Sequence, residues 1–234
     1  MSTVVFSDVN RRFSILDELE HAVSCLHVAL KRIADGRTVL RVDAPTFFLL
    51  SLGLERYLKV GVHILLHHQN GSFADFSTMK KYGHELLSVE TALFGLESPD
   101  ARMSMMTRED LDFVKNDLLL RKLLECLDAF ACGERYFLLD GASGKPMDPD
   151  SSPRARWEDI LELASDHNPE LFLDVERAQR VVGARLIGRM QRYLRCISQA
   201  VFYSTSDLSR SLASGMWVFL DVRDRALEVP IEPR

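Results

Sequence analysis

Arg56 and His63 stand seven positions apart in the apolar stretch LERYLKVGVHILLHH, residues 54–68. On a helix that spacing is two turns, so both side chains point the same way. A guanidinium can hold a phosphate, and an imidazole can exchange a proton near neutral pH. Two polar residues on the wet side of a packing helix would show the same spacing. His63 and His67 are four apart with His68 beside them, and two histidines at that distance can share a metal. The string HILLH lacks the glutamate of an HExxH site, and no third ligand is evident. The expectation is therefore a histidine cluster at a helix end, near the negative end of its dipole, with no metal and no cofactor.

A second constellation lies near the C-terminus. Arg177, Arg185, Arg189, Arg192 and Arg195 fall within about 120° of arc on an ideal helix. Residues 171–203 hold six arginines against Asp174 and Glu176, a net +4, which leaves −9 for the rest of a chain at −5. Such a stripe can grip phosphates, lie against solvent, or pair with acids of a neighbouring helix or subunit. Aromatic interleaving is thin, with Tyr193 and Tyr203 only. The segment GASGKP lacks the spacing of a phosphate loop and follows no strand, so it is not read as one. No Ser/His/Asp or Cys/His nucleophile arrangement stands out.

These side chains must be positioned by helices. Leu16, Leu19, Val23, Leu26, Leu30 and Ile33 repeat at three- and four-residue steps, and Gly36 ends that helix. Asp43 and Pro45 open a second helix, to Gln69, stopped by Gly71. On it Phe47, Leu50, Leu54, Tyr57, Leu58, Gly61 and Leu65 share one arc; Arg56, His63 and His67 lie nearly opposite, flanked by Leu49, Leu52 and Val60. A helix apolar on two sides runs through the middle of a bundle or lies at a subunit interface, hence the expected homodimer. Gly53 and Gly61 leave room for a close neighbour. A third helix starts near His84. Thr107 with Asp110 reads as a capping box for a segment from Arg108 to Ala131, kinked near Asn116. Residues 140–153 read as a turn-rich loop. Ser152-Pro153 caps a helix to Ser165, and Asn168-Pro169 caps the last long one, to Tyr203. The tail alternates weakly, as a short hairpin or an extended arm would. The fold class is all-α, a bundle of about six helices in one domain over 1–234, with a core over 10–140 and the helices of 153–210 packed on it.

Nearly half the chain is apolar, and the net charge of −5 argues against a coat for nucleic acid. Cys25, Cys126, Cys132 and Cys196 form no CxxC pair and read as reduced structural thiols. The N-terminus shows no signal peptide, and the most apolar window carries Glu55, Arg56 and Lys59, so no membrane span is expected. A cytoplasmic location follows as the expectation.

LERYLKVGVHILL, followed some twenty residues on by KKYGHEL, resembles the HEPN superfamily (higher eukaryotes and prokaryotes nucleotide-binding). The match rests on Glu55, Lys59, His84, Glu85 and Leu86 and covers residues 10–100. FACGERYFLLD, residues 130–140, also resembles related bacterial proteins, with no chemistry attached to it. The resemblance implies a helical bundle in a bacterial regulatory or defence system. It also implies a metal-independent ribonuclease site of the Arg-x4–6-His kind, shared across a dimer cleft, for which Arg56 and His63 are the matching pair. In the family that motif usually opens the last helix, with a polar residue after the arginine. Here it lies in the second helix and Tyr57 follows. The expectation is a non-catalytic module that binds RNA, a nucleotide or a protein partner. Two alternatives stand beside it: a toxin-like endoribonuclease using Arg56 and His63, and a structural homodimer with no nucleic-acid role.

Overall fold

The computed structural model describes residues 7–36, 39–41, 43–96, 105–205, 207–220 and 222–231, the side chains of 105–107 and 207–209 excepted. Among the described residues every regular element is helical and there is no strand. Helix α1 (Asp8–Ala34) is opened by Ser7, whose hydroxyl accepts from the Asn10 amide, and Gly36 follows its end at φ 74°. Helix α2 (Ala44–Asn70) starts where Asp43 accepts from the Thr46 amide at 3.2 Å and stops at Gly71, in the left-handed conformation at φ 70°. The main apolar arc of α2 is filled from within the chain, with Leu50, Leu54, Tyr57 and Leu58 buried and Val62 and Ile64 buried beside it. Of the flanking Leu49, Leu52 and Val60, Val60 is buried and the two leucines are partly exposed. The helix runs through the middle of the bundle.

Two glycines set how closely the neighbours approach. A Cβ on Gly53 would meet Leu26 of α1 at 2.8 Å, and one on Gly61 would meet Leu93 at 2.6 Å. The predicted loop after Gly71 contains a short helix, α3 (Phe76–Lys81), and α4 (Leu86–Leu96) begins two residues past His84.

The segment expected as one kinked helix from Arg108 is two helices, α5 (Met105–Asn116) and α6 (Leu118–Cys132). The break is Asp117, which is extended at φ −72° and ψ 111° and accepts from the Leu120 amide at 2.8 Å, capping α6. The capping-box reading of Asp110 is corrected, because Asp110 lies inside α5 and is wholly buried against arginines of a later helix. The Thr107 side chain lies outside the described residues.

The turn-rich segment is partly helical, with a turn at Glu134–Tyr136 and α7 (Phe137–Ala142) before α8 (Pro153–Ala164), capped by Ser152 as the sequence predicts. Asn168 caps only a turn of 3-10 helix, Pro169–Leu173. The long helix α9 (Val175–Tyr203) has its own cap in Asp174, which accepts from the Arg177 amide at 3.0 Å. After it come α10 (Asp207–Leu212) and α11 (Trp217–Leu220). The described tail holds no hairpin. Gln191 of α9 straps it down, donating to the carbonyls of Leu227 at 2.6 Å and Val229 at 2.8 Å and accepting from the Ile231 amide at 2.9 Å.

The bundle is thus α2 wrapped by α1, α4, α6 and α9, with α8 against α6 and α9. The described residues form eleven α-helices in place of about six: the segment from Arg108 is split into α5 and α6, and α3, α7, α10 and α11 are added helices of four to six residues. No helix among them is long and apolar enough to cross a membrane.

Candidate functional site

Arg56 and His63 share a face of α2 but not an environment. Arg56 reaches back to α1 and pairs with Glu18 at 3.2 Å, both partners partly exposed. His63 is largely buried, edge-on to the Phe73 ring at 6.3 Å between centroids. Burial first, then the positive charges of Arg11 and Lys59, push its pKa down to about 4. The imidazole is neutral at pH 7, and its Nδ1 is buried without a hydrogen-bond partner. A base so reluctant to take a proton is poorly matched to acid–base work at neutral pH. Neither residue lines the two hollows described below. His67 stacks on the same Phe73 ring at 4.4 Å. Among the described residues no three of His, Cys, Asp and Glu converge as a ligand set for a metal ion.

The motif residues Glu55, Lys59 and His84 do meet. Glu55 is the hub, its carboxylate accepting from Lys59 Nζ at 2.7 Å and from His84 Nδ1 at 3.0 Å. Lys59 also donates to the Gly83 carbonyl at 2.5 Å. The i, i+4 spacing on α2 supplies the first pair, and the chain reversal at Gly83 (φ 51°) brings in the second. An imidazole oriented by a carboxylate can move a proton. The surroundings are acidic, however. Asp128 accepts from the Leu87 amide at the start of α4, and the neighbouring Cys132 thiol is pushed up by burial and by the carboxylates of Asp128, Glu85 and Glu55. That field opposes both a thiolate and an approaching phosphodiester. What the hub does visibly is tie α4 to α2.

The arginine stripe of α9 is not a solvated face. Arg185 pairs with Asp166 at 2.5 Å and donates to the Ala164 carbonyl at 2.6 Å, closing the end of α8. Arg189 holds Asp117 at 3.0 Å. Arg192 holds Asp110 at 2.7 Å and lies over the Phe113 ring. Arg195, 1% exposed, binds both oxygens of Asp110 at 2.6 and 2.7 Å, and also the Val222 carbonyl and Asp224. Burial alone would lower the Arg195 pKa, and its carboxylate partners more than reverse that. Of the five, Arg177 is exposed and has no carboxylate partner among the described residues.

A separate hollow lies between the start of α2, the end of α6, the 134–152 segment and α8. Its volume is about 820 Å³, within the range of ligand clefts. Leu40, Phe130, Phe137, Leu138, Trp157 and Leu161 line it, and Arg41, Glu134, Arg135, Arg154 and Glu158 lie among them. Trp157 is fixed by donating to the Val39 carbonyl at 3.1 Å and by an edge contact to Phe47. A smaller hollow, about 440 Å³, runs on past Leu161 toward Phe172. The sequence reading attached no chemistry to this place. The signal was present in Tyr136-Phe137-Leu138-Leu139, an apolar run on a helix too short to bury it: Leu138 is 85% and Leu139 64% exposed.

Comparison of the chain with protein-family models, with curated proteins and with solved structures finds no match.

Proposed function

We propose that the chain is a HEPN-like helical module that acts by binding and not by cutting RNA, in a bacterial regulatory or defence system. The observation that carries the reading is the separation of Arg56 from His63: one is engaged by Glu18, the other is neutral and packed on Phe73. The family and the system rest on the sequence resemblance alone. A protein partner is favoured over RNA or a nucleotide, because four arginines of the α9 stripe already hold carboxylates of their own chain. Replacing those partners by phosphates would leave the acids, Asp110 above all, buried and unpaired.

The test is an RNA cleavage and binding assay in low salt. The expected result is no cleavage by the natural chain, no change on Arg56→Ala with His63→Ala, and weak binding with a shallow salt dependence. Cleavage that disappears in the double variant overturns the reading in favour of the endoribonuclease. A steep salt slope that Arg185→Ala, Arg189→Ala and Arg192→Ala together flatten, by about one per lost contact, moves the partner from protein to RNA.

A further inference from the structure

We propose that the 820 Å³ cleft beside α8 binds a small amphiphile with one anionic head, a carboxylate on an apolar chain or ring system. The inference rests on reading the chain as a binding module, and it adds a ligand site that the reading did not contain.

The shape argument comes first. The lining is dominated by Leu40, Phe130, Phe137, Trp157 and Leu161, side chains that offer a ligand little but contact and exclusion of water. Trp157 is 4% exposed, with its indole N–H already satisfied by Val39, so the ring is a fixed wall. Leu138 stands largely in solvent although it belongs to the lining. An apolar chain or ring laid against Trp157 would cover Leu138 and release that unfavourable exposure.

The charge argument selects the head group. Five charged residues line the cleft, three arginines and two glutamates, and they are not equivalent. Glu134 is held by Arg156 at 3.1 Å, a residue outside the lining. Glu158 is held by Arg154 at 2.8 Å. Each carboxylate thus has an arginine partner, while the second oxygen of Glu134 is buried without a hydrogen-bond partner. Arg41 and Arg135 have no carboxylate partner among the described residues, and both are exposed. The Arg135 guanidinium lies over the Tyr136 ring at 5.1 Å, which limits the orientations it can take. The uncompensated charge of the cleft is thus positive and sits on two guanidinium groups. Guanidinium groups pair with carboxylates through two parallel N–H donors. An apolar wall with such a pair of arginines is complementary to an amphiphilic acid. It is mismatched to an amine, which the arginines repel, and to a polyanion, which the apolar wall leaves unsolvated.

The probe is dansylated undecanoate, with the natural full-length chain. Its fluorescence should rise and shift to the blue in a saturable way, at one molecule per chain and below its aggregation concentration. Unlabelled undecanoate should displace it better than undecanol does. Arg41→Ala with Arg135→Ala should weaken the acid about tenfold and leave the alcohol unchanged. Leu138→Asp, at a position exposed enough to spare the fold, should abolish binding by placing a charge against the apolar part of the ligand. Absence of saturable binding overturns the proposal. So does equal binding of acid and alcohol with no effect of the arginine variants. A dimer that binds no probe and dissociates on Leu138→Asp assigns the cleft to a second copy and overturns it too. None of these results bears on RNA cleavage, and cleavage by the natural chain would refute the binding-module reading even with the probe bound.

Discussion

Arg192 and Arg135 each lie over an aromatic ring, Arg192 over Phe113 at 4.1 Å and Arg135 over Tyr136 at 5.1 Å. Arg192 also holds Asp110, in a network that continues through Arg195 to Asp224 and the tail. Arg135 holds no carboxylate among the described residues and lines a cleft. The two regions use the same residue type for opposite ends. On α9 the guanidinium groups are joints between helices: Arg185 closes α8, Arg189 meets the cap of α6, and Arg192 and Arg195 grip α5. At the cleft each glutamate has an arginine partner, and Arg41 and Arg135 are exposed with no carboxylate partner among the described residues. A cluster of positive charge is therefore a poor guide to a binding surface until its partners are known. The most conspicuous basic stripe of this chain is largely scaffolding, while Arg41 and Arg135, which form no pattern in the sequence, have no carboxylate partner among the described residues.

The contrast is broken most severely at Asp110. Asp110→Ala leaves Arg195 buried without its main partner, and should cost about 3–5 kcal/mol of stability, read by urea denaturation. A cost below about 1 kcal/mol would mean that water reaches the α9 arginines, and would return them to the list of ligand-binding groups.

Acid titration of stability comes next. The His63 pKa is about 4 in the folded chain against about 6.5 unfolded. Above pH 6.5 neither state holds the proton and stability is at its full value. As pH falls from 6.5 toward 4 the unfolded chain takes up the proton and the folded one does not, so stability is lost, on the order of 2 kcal/mol from this group. His67, also lowered by burial and by Arg12, acts in the same direction. His63→Phe should flatten the decline between pH 6.5 and 4. An unchanged decline would mean that His63 is solvated, and would reopen its use as an acid or base.

Asp117 offers a milder cut, since its carboxylate serves both the α6 cap and Arg189. Asp117→Ala should cost roughly 1–2 kcal/mol, because the arginine it releases is partly exposed and can turn to water. Arg41→Ala and Arg135→Ala should change stability least, within about 0.5 kcal/mol, as surface residues outside any network do. A larger loss at either arginine would show that it is structural and erase the contrast.

The local grammar of the sequence decided the helices that bear the load of the fold. The three/four apolar steps of α1, the Asp43 and Ser152 caps and the stop at Gly71 are interactions between residues a few positions apart, so they are visible without a partner. The motif hub was half visible in the same way, because Glu55 and Lys59 are one turn apart on α2; His84 joins them only across a chain reversal. The sequence reads as a kink near Asn116 and as a long helix capped by Asn168-Pro169. In both cases the chain contained a second aspartate-led start, at Asp117 for α6 and Asp174 for α9, and local signals do not say which of two adjacent starts is used.

Tertiary structure alone decided which charges are available. An arginine on a helix looks the same in sequence whether a carboxylate 85 residues away meets it, as Asp110 meets Arg195, or none among the described residues does, as at Arg135. Pairing of that range depends on how helices cross, and helix crossing is set by packing over many residues at once. The cleft has the same origin. It is the space left where α7 is too short to cover the end of α6 and the face of α8, and such a space belongs to no residue of the sequence.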